Sequence, residues 1–171
     1  MVHVTLLRHA ESMFNTGVSN VEDVNLTFKG AKQAQKLTGQ YDLVICSPLR
    51  RAVDTLFYSK IKYRELILDH DVREVKKDIC DFLLFEPKKI ETEKQVLKRV
   101  ERFKKYLDSL EGEYQRILIV SHGDFIWYLT SKLVNGDGLT QPNDRANEVL
   151  RERYGTWLDN GEFMNCELYL D

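Results

Sequence analysis

Four polar groups in this chain each follow a short apolar run. Arg8-His9 ends Val2-His3-Val4-Thr5-Leu6-Leu7, and Ser47-Pro48-Leu49-Arg50-Arg51 follows Leu43-Val44-Ile45-Cys46. Val72-Arg73-Glu74 lies just past Leu66-Ile67-Leu68, and Ser121-His122-Gly123 follows Arg116-Ile117-Leu118-Ile119-Val120. Two imidazoles, two guanidiniums and a carboxyl brought together would suit phosphoryl transfer. A phosphate monoester is dianionic near neutral pH, and guanidinium groups match its oxygens with forked, permanently charged donors. A neutral imidazole can attack phosphorus and split one hard step into two easier ones. A carboxylic acid or a second histidine can give the leaving alkoxide its proton. With arginines carrying the charge no metal is required, and the chain has neither a His-Glu-x-x-His pattern nor a cluster of aspartate ligands.

Such residues act together only if the elements beneath them converge. The apolar runs read as buried strands, and helical periodicity alternates with them. Thr27 reads as an N-cap, with Ala31, Ala34 and Leu37 on one face and Gly39 as the stop. Pro48 stands where a first-turn proline is tolerated, and a helix is expected from there to about Tyr58. Thr92 to Leu110 is the clearest helix, with Val96, Val100, Phe103, Tyr106, Leu107 and Leu110 at helical spacing. A further apolar helix is expected over Phe125 to Val134, a helix at Asp144 to Tyr154 within a loop-like 135–161, and a last strand over Phe163 to Leu170. Strand–helix alternation implies a mainly parallel sheet covered on both faces: a three-layer α/β/α sandwich with a mixed edge. In such a sheet, strand carboxyl ends share one side, where ligands bind. The four polar groups therefore converge.

At 171 residues the chain reads as one domain spanning 1–171. Residues 76–91, rich in charge yet containing Ile79, Phe82, Leu83, Leu84 and Phe85, read as a small cap or lid. Apolar residues make up 43% and charged residues 30%, an ordinary globular composition. A net charge of −2 argues against a nucleic-acid surface, so anion recognition must come from a few placed cations. Cys46, Cys80 and Cys166 have no metal-ligand spacing, and an odd count favours reduced thiols. Neither a secretory leader nor a run approaching the ~20 apolar residues of a membrane span is visible. The expectation is a cytoplasmic protein with no membrane partner and no cofactor. Oligomeric state is left open.

The motifs also carry a resemblance. Arg8-His9-Ala10-Glu11-Ser12 with Asn15 resembles the RHG-type signature of the histidine phosphatase (phosphoglycerate mutase-like) superfamily, with alanine in place of glycine. Leu26-Thr27 with Gly30 and Gln33-Ala34 resembles the helix that follows it there. Ser47-Pro48-Leu49-Arg50-Arg51-Ala52 with Thr55 is similar to the family's second arginine motif, Val72-Arg73-Glu74 to its acid motif, and Ser121-His122-Gly123 to its second histidine motif. The matches occur in family order. The resemblance implies a phosphoglycerate mutase-like fold and a phosphohistidine on His9, with Arg8, Arg51 and His122 holding the phosphoryl oxygens and Glu74 donating the proton. It also implies that Ser12, Asn15 and Gly123 line the pocket of a small phosphorylated substrate, a phosphoprotein being an alternative. Where the family continues with a glycine and a further acidic motif, this chain has Lys76-Lys77-Asp78-Ile79-Cys80-Asp81, so Asp78 or Asp81 could share or replace the donor role.

Bland readings stand beside these. An isolated Arg-His pair would read as a strand cap and a lone His122 as a core histidine; the ordered motifs reverse both. Arg50, adjacent to Arg51 on a helix, must face elsewhere and reads as a surface residue. The leading expectation is a metal-independent phosphomonoester hydrolase. A phosphoglycerate-type mutase and a non-catalytic binder of phosphorylated ligands are the alternatives.

Overall fold

The computed structural model describes residues 2–135 and 151–169. Its strands are β1 (Val2–Arg8), β2 (Thr38–Cys46), β3 (Lys60–Leu68), β4 (Ile117–Ser121), β5 (Lys132–Asn135), β6 (Arg151–Tyr154) and β7 (Phe163–Leu168). Its helices are α1 (Phe28–Gln35), α2 (Arg50–Tyr58), α3 (Glu93–Ser109) and α4 (Gly123–Thr130). The main sheet has the order β3-β2-β4-β1-β7, while β5 and β6 pair antiparallel in a separate ribbon. β1 to β4 run parallel, and β7 pairs antiparallel with β1 at the edge.

The central strands are apolar on both faces because helices cover both. Leu6, Leu43, Ile45 and Ile119 pack in one cluster with Val96, Val100, Phe103 and Leu107 of α3 and Phe125, Ile126 and Leu129 of α4. Leu7, Val44, Cys46, Leu118 and Val120 form the opposite cluster with Ala52 and Leu56 of α2. Continuous apolar runs are the mark of parallel strands buried this way. The result is the expected three-layer α/β/α arrangement.

Local chemistry sets the helix starts. Thr27 caps α1 by accepting from Gly30 N–H at 2.9 Å, and Thr92 and Gln95 form a reciprocal capping box on α3. Gly30 also meets the backbone just after the Arg8-His9 turn: a Cβ there would overlap the Glu11 carbonyl oxygen. Gly30→Ala should therefore destabilise the protein by about 2 kcal/mol by overpacking, although alanine is the better helix former. Chemical denaturation would measure the loss.

Several expectations need correction. α1 ends at Gln35, Leu37 lies between α1 and β2, and Gly39 is inside β2. The helix expected over Phe125 to Val134 begins at Gly123, stops at Thr130 and gives way to β5. Of the helix expected over Asp144 to Tyr154, residues 144–150 lie outside the described residues and Arg151–Tyr154 is strand. β3 begins at Lys60, six residues before its apolar run, because as an edge strand it is mostly exposed and its early residues carry no burial pattern. Residues 76–91 leave and rejoin the fold at one point, where Glu91 N–H donates to the Lys76 carbonyl at 2.9 Å. A 3-10 turn at Ile79–Asp81 and buried Phe82 lie between. Among the described residues no helix is long and apolar enough to cross a membrane.

Candidate active site

The register of the parallel strands builds the site. Arg8 ends β1 opposite Ser121 of β4, and His9 N–H donates to the Ser121 carbonyl at 3.0 Å. His122 follows, and the two imidazole centroids lie 5.0 Å apart. Ser47, leaving β2, donates its N–H to the Val120 carbonyl and places Oγ 2.7 Å from His122 Nε2. Buried Arg51 rides on α2 one turn before Thr55, whose hydroxyl donates to the Arg51 carbonyl (2.7 Å) and accepts from Ala10 N–H (2.9 Å). Arg8, His9, Arg51 and His122 are therefore gathered at one sheet edge.

His9 is buried, and its Nδ1 lies 2.6 Å from the Ala10 carbonyl. A carbonyl can only accept, so Nδ1 carries the proton and Nε2 keeps its lone pair. Burial, then the neighbouring Arg51 cation, holds the His9 pKa well below the usual imidazole value. His122 is held well below its usual value by the same causes in the same order. Both are neutral near pH 7. Arg8 donates to the Leu158 carbonyl at 2.9 Å and lies under the Trp157 indole, 4.6 Å from the ring centroid. Arg8 Nε and His122 Nδ1 are buried with no hydrogen-bond partner among the described residues.

Glu74 meets this group at the N-terminus of α4. Its Oε1 accepts from Val75 and Phe125 N–H, both at 2.9 Å, and its Oε2 from Asp124 N–H at 3.3 Å. Burial, with the Asp124 carboxylate adding to it, raises its pKa to about 7. Behind it, buried Arg99 of α3 donates to the carbonyls of Asp71, Arg73 and Glu74 and pairs with Glu91. That fixes the loop from which Glu74 projects.

The remaining sequence candidates fall in different places. Gly123 packs against both Trp157 and Arg8: a Cβ there would come within 2.6 Å of the indole and 3.1 Å of the guanidinium carbon. Ser12 and Asn15 bond chiefly to each other, Ser12 N–H and Oγ both donating to Asn15 Oδ1. They join the cradle through Asn160, whose amide donates to Asn15 Oδ1 and to the His9 carbonyl. Arg50 is exposed and faces Asp54 at 3.5 Å, as its position beside Arg51 suggested. Asp81 is buried against Arg51, with Oδ1 3.0 Å from Nη2 and Oδ2 accepting from Lys77 and Asp78 N–H. Asp78 instead caps the 3-10 turn.

Sequence reasoning singled out no residue of the strip 155–161 as part of the site. That strip supplies Trp157 and the Leu158 carbonyl to Arg8, Asn160 to His9, and Gly161 N–H to the Arg8 and His9 carbonyls. A tryptophan in a polar, strand-free stretch was the available signal.

This fold and site define the phosphoglycerate mutase-like class of α/β proteins. Solved structures agree. An alpha-ribazole phosphatase from Shigella flexneri superposes with a TM-score of 0.55 at 25% identity, covering 71% of this chain and 74% of that one. A phosphoglycerate mutase from Thermus thermophilus gives 0.55 at 21%, covering 74% and 81%. A mycobacterial glucosyl-3-phosphoglycerate phosphatase gives 0.53 at 21%, covering 75% and 78%. No curated protein sequence matches the chain. The family model of the histidine phosphatase superfamily (branch 1) matches residues 4–82 and 73–150, and the chain belongs to that superfamily.

Proposed function

We propose that this protein is a metal-independent phosphomonoester hydrolase that works through a phosphohistidine on His9. The observation that carries this reading is the state of His9: buried, neutral, its Nδ1 proton on the Ala10 carbonyl, with Arg8 and Arg51 near enough to depress its pKa. Nε2 is left as a nucleophile beside fixed cations.

In the first step the Nε2 lone pair forms a bond to phosphorus and the ester P–O bond breaks. The leaving alkoxide takes the Glu74 proton, held there near pH 7 by burial. Water then attacks the phosphohistidine and gives its proton to the Glu74 carboxylate. The P–N bond breaks, releasing orthophosphate and neutral His9. Arg8, Arg51 and His122 stabilise the three equatorial oxygens. The Ser47 hydroxyl accepts from Leu49 N–H with one lone pair and has its proton free to donate to His122 Nε2, the arrangement that makes Nδ1 an N–H donor to a phosphoryl oxygen. That atom and Arg8 Nε are, with Arg73 Nε, the buried side-chain groups without partners among the described residues, and leaving such groups unsatisfied costs about 1–3 kcal/mol each. A phosphoryl group would satisfy the first two.

Asp81 is given no proton-donor role, because its Oδ1 is committed to a buried ion pair with the Arg51 guanidinium. Ser12, Asn15 and Gly123 line the pocket, the first two through Asn160. The substrate is a small phosphomonoester and the setting cytoplasmic, which suits the free thiols Cys46, Cys80 and Cys166. The Shigella neighbour, itself named a phosphatase, supports hydrolysis over phosphoryl return.

The test is to incubate the protein with sugar phosphates, phosphorylated acids, nucleotides and phosphopeptides, then quench and map any acid-labile phosphate. Phosphate release with a phosphohistidine at His9 is expected. Isomerised product without release would indicate a mutase, and binding without phosphoenzyme or turnover a phospho-ligand binder. Trp157→Ala, which uncovers Arg8, should weaken inhibition by inorganic phosphate about tenfold, in line with ~1–2 kcal/mol for a partly desolvated cation–π contact.

A further inference from the structure

The second arginine of the cradle is held by an ion pair that the reaction as written does not use. Arg51 Nη1 donates to the Cys80 carbonyl at 2.8 Å and Nη2 to Asp81 Oδ1 at 3.0 Å. Both side chains are almost wholly excluded from solvent. The carboxylate is itself pinned, because Oδ2 accepts from Asp78 N–H at 2.8 Å and Lys77 N–H at 3.2 Å. So is its backbone: the Asp81 carbonyl accepts from Arg73 Nη2 at 2.9 Å, and Arg73 grips Glu86 through both of its Nη atoms. Arg51 is thus clamped at two of its nitrogens by a rigid 3-10 turn. Among the described residues, its Nε and the second hydrogen on each Nη are left for a ligand.

Buried ion pairs are inefficient stabilisers, because desolvation cancels most of their attraction. Their better use is to hold a charged group in one orientation. We propose that Asp81 is a positioning residue of the phosphatase site, aiming the Arg51 guanidinium at the phosphoryl group. The proposal rests on the reading of His9, Arg51 and Glu74 given above. An untethered arginine has many rotamers, and binding phosphate would have to order it. A tethered one meets the transition state without reorganising. Asp81 also acts at a distance on the acid: together with Asp124, its charge disfavours ionisation of Glu74. One carboxylate therefore serves both the grip on phosphate and the proton supply.

The opposite role is a real alternative. An aspartate 3.0 Å from a phosphate-binding arginine could instead act as a built-in competitor of phosphate. The two roles predict opposite signs. Asp81→Asn is expected to lower kcat about a hundredfold, the order associated with small misplacement of a catalytic group. Phosphate inhibition should weaken, and the alkaline fall in the pH–rate profile should move to lower pH. In an Arg51→Met background the same substitution should have little further effect on phosphate inhibition, since its grip acts through Arg51. Asp81→Glu keeps the charge but moves the carboxylate by one methylene. It should leave the alkaline limb near the wild-type position while kcat still falls. This variant tests the proposal if Asp81→Asn does not fold. Tighter phosphate binding in Asp81→Asn, or wild-type kcat and pH profile in both variants, would overturn the proposal. A wild-type protein that neither hydrolyses phosphomonoesters nor forms phosphoenzyme would overturn the underlying reading instead.

Discussion

Replacing His9 with alanine is expected to lower turnover by at least about ten-thousandfold and to abolish the acid-labile phosphoenzyme. The residue is proposed to form the bond to phosphorus, and loss of a covalent nucleophile typically removes nearly all the rate that its site supplies. The substitution also opens a small buried space at the end of β1, so His9→Asn, closer in volume, is the better control for folding. Both variants should still bind inorganic phosphate, because Arg8, Arg51 and His122 remain, and isothermal calorimetry would show it. Rate and phosphoenzyme at wild-type levels in the alanine variant would remove His9 from the mechanism.

Glu74→Gln should cost about a hundredfold to ten-thousandfold on alkyl phosphates, the range associated with loss of a positioned general acid. On an aryl phosphate such as 4-nitrophenyl phosphate the loss in phosphoenzyme formation should be much smaller, since that leaving group departs without a proton. The pH dependence follows from the same assignment. His9 must be neutral, and its pKa lies well below the imidazole value of 6.5, so the acid limb sits at low pH. Glu74 must be protonated, and its pKa is raised to about 7, so kcat/KM should fall as pH rises through that region. In the glutamine variant the alkaline limb should vanish. Stability carries a matching sign. The folded state holds the Glu74 proton more tightly than the unfolded chain, whose value is near 4.5. That contribution is fully present below the unfolded value and is lost as pH rises through about 7. Glu74→Gln should therefore flatten the decline of stability on the alkaline side. A rate profile unchanged in the variant would take the acid role away from Glu74.

The parts of this architecture legible beforehand were those with a local signature. β4, buried throughout its length, shows as an uninterrupted apolar run, and α3 as a periodic stripe with a capping box. Arg50 and Arg51 could be told apart because adjacent helical residues point different ways. The parts that were not legible depend on partners distant in the chain. β5 and β6 looked helical or irregular because a short two-stranded ribbon is set by its pairing, with little apolar alternation to mark it. Gly39, an ordinary stop signal, lies within β2 because the Thr38–Cys46 segment pairs with β3 over nearly its whole length. Trp157 acquires its place only when the strip after β6 folds back over Arg8.

The sequence by itself determined the layered α/β architecture, the convergence of Arg8, His9, Arg51 and His122, and the superfamily those motifs mark. Strand burial and strand-end polarity are local properties, and a parallel sheet turns them into a common edge. Only the tertiary structure decided the protonation and orientation of those groups. Glu74 holds its proton near neutrality because folding buries it beside Asp124, and His9 keeps its lone pair on Nε2 because Ala10 turns a carbonyl toward Nδ1. Asp81, an open candidate for proton donor in the sequence, became a partner of Arg51 because the 76–91 segment closes on itself and delivers its carboxylate there. Apart from the His9–Ala10 contact between chain neighbours, charge states and clamps of this kind are made by contacts between residues 30 to 51 positions apart, which composition and spacing do not encode.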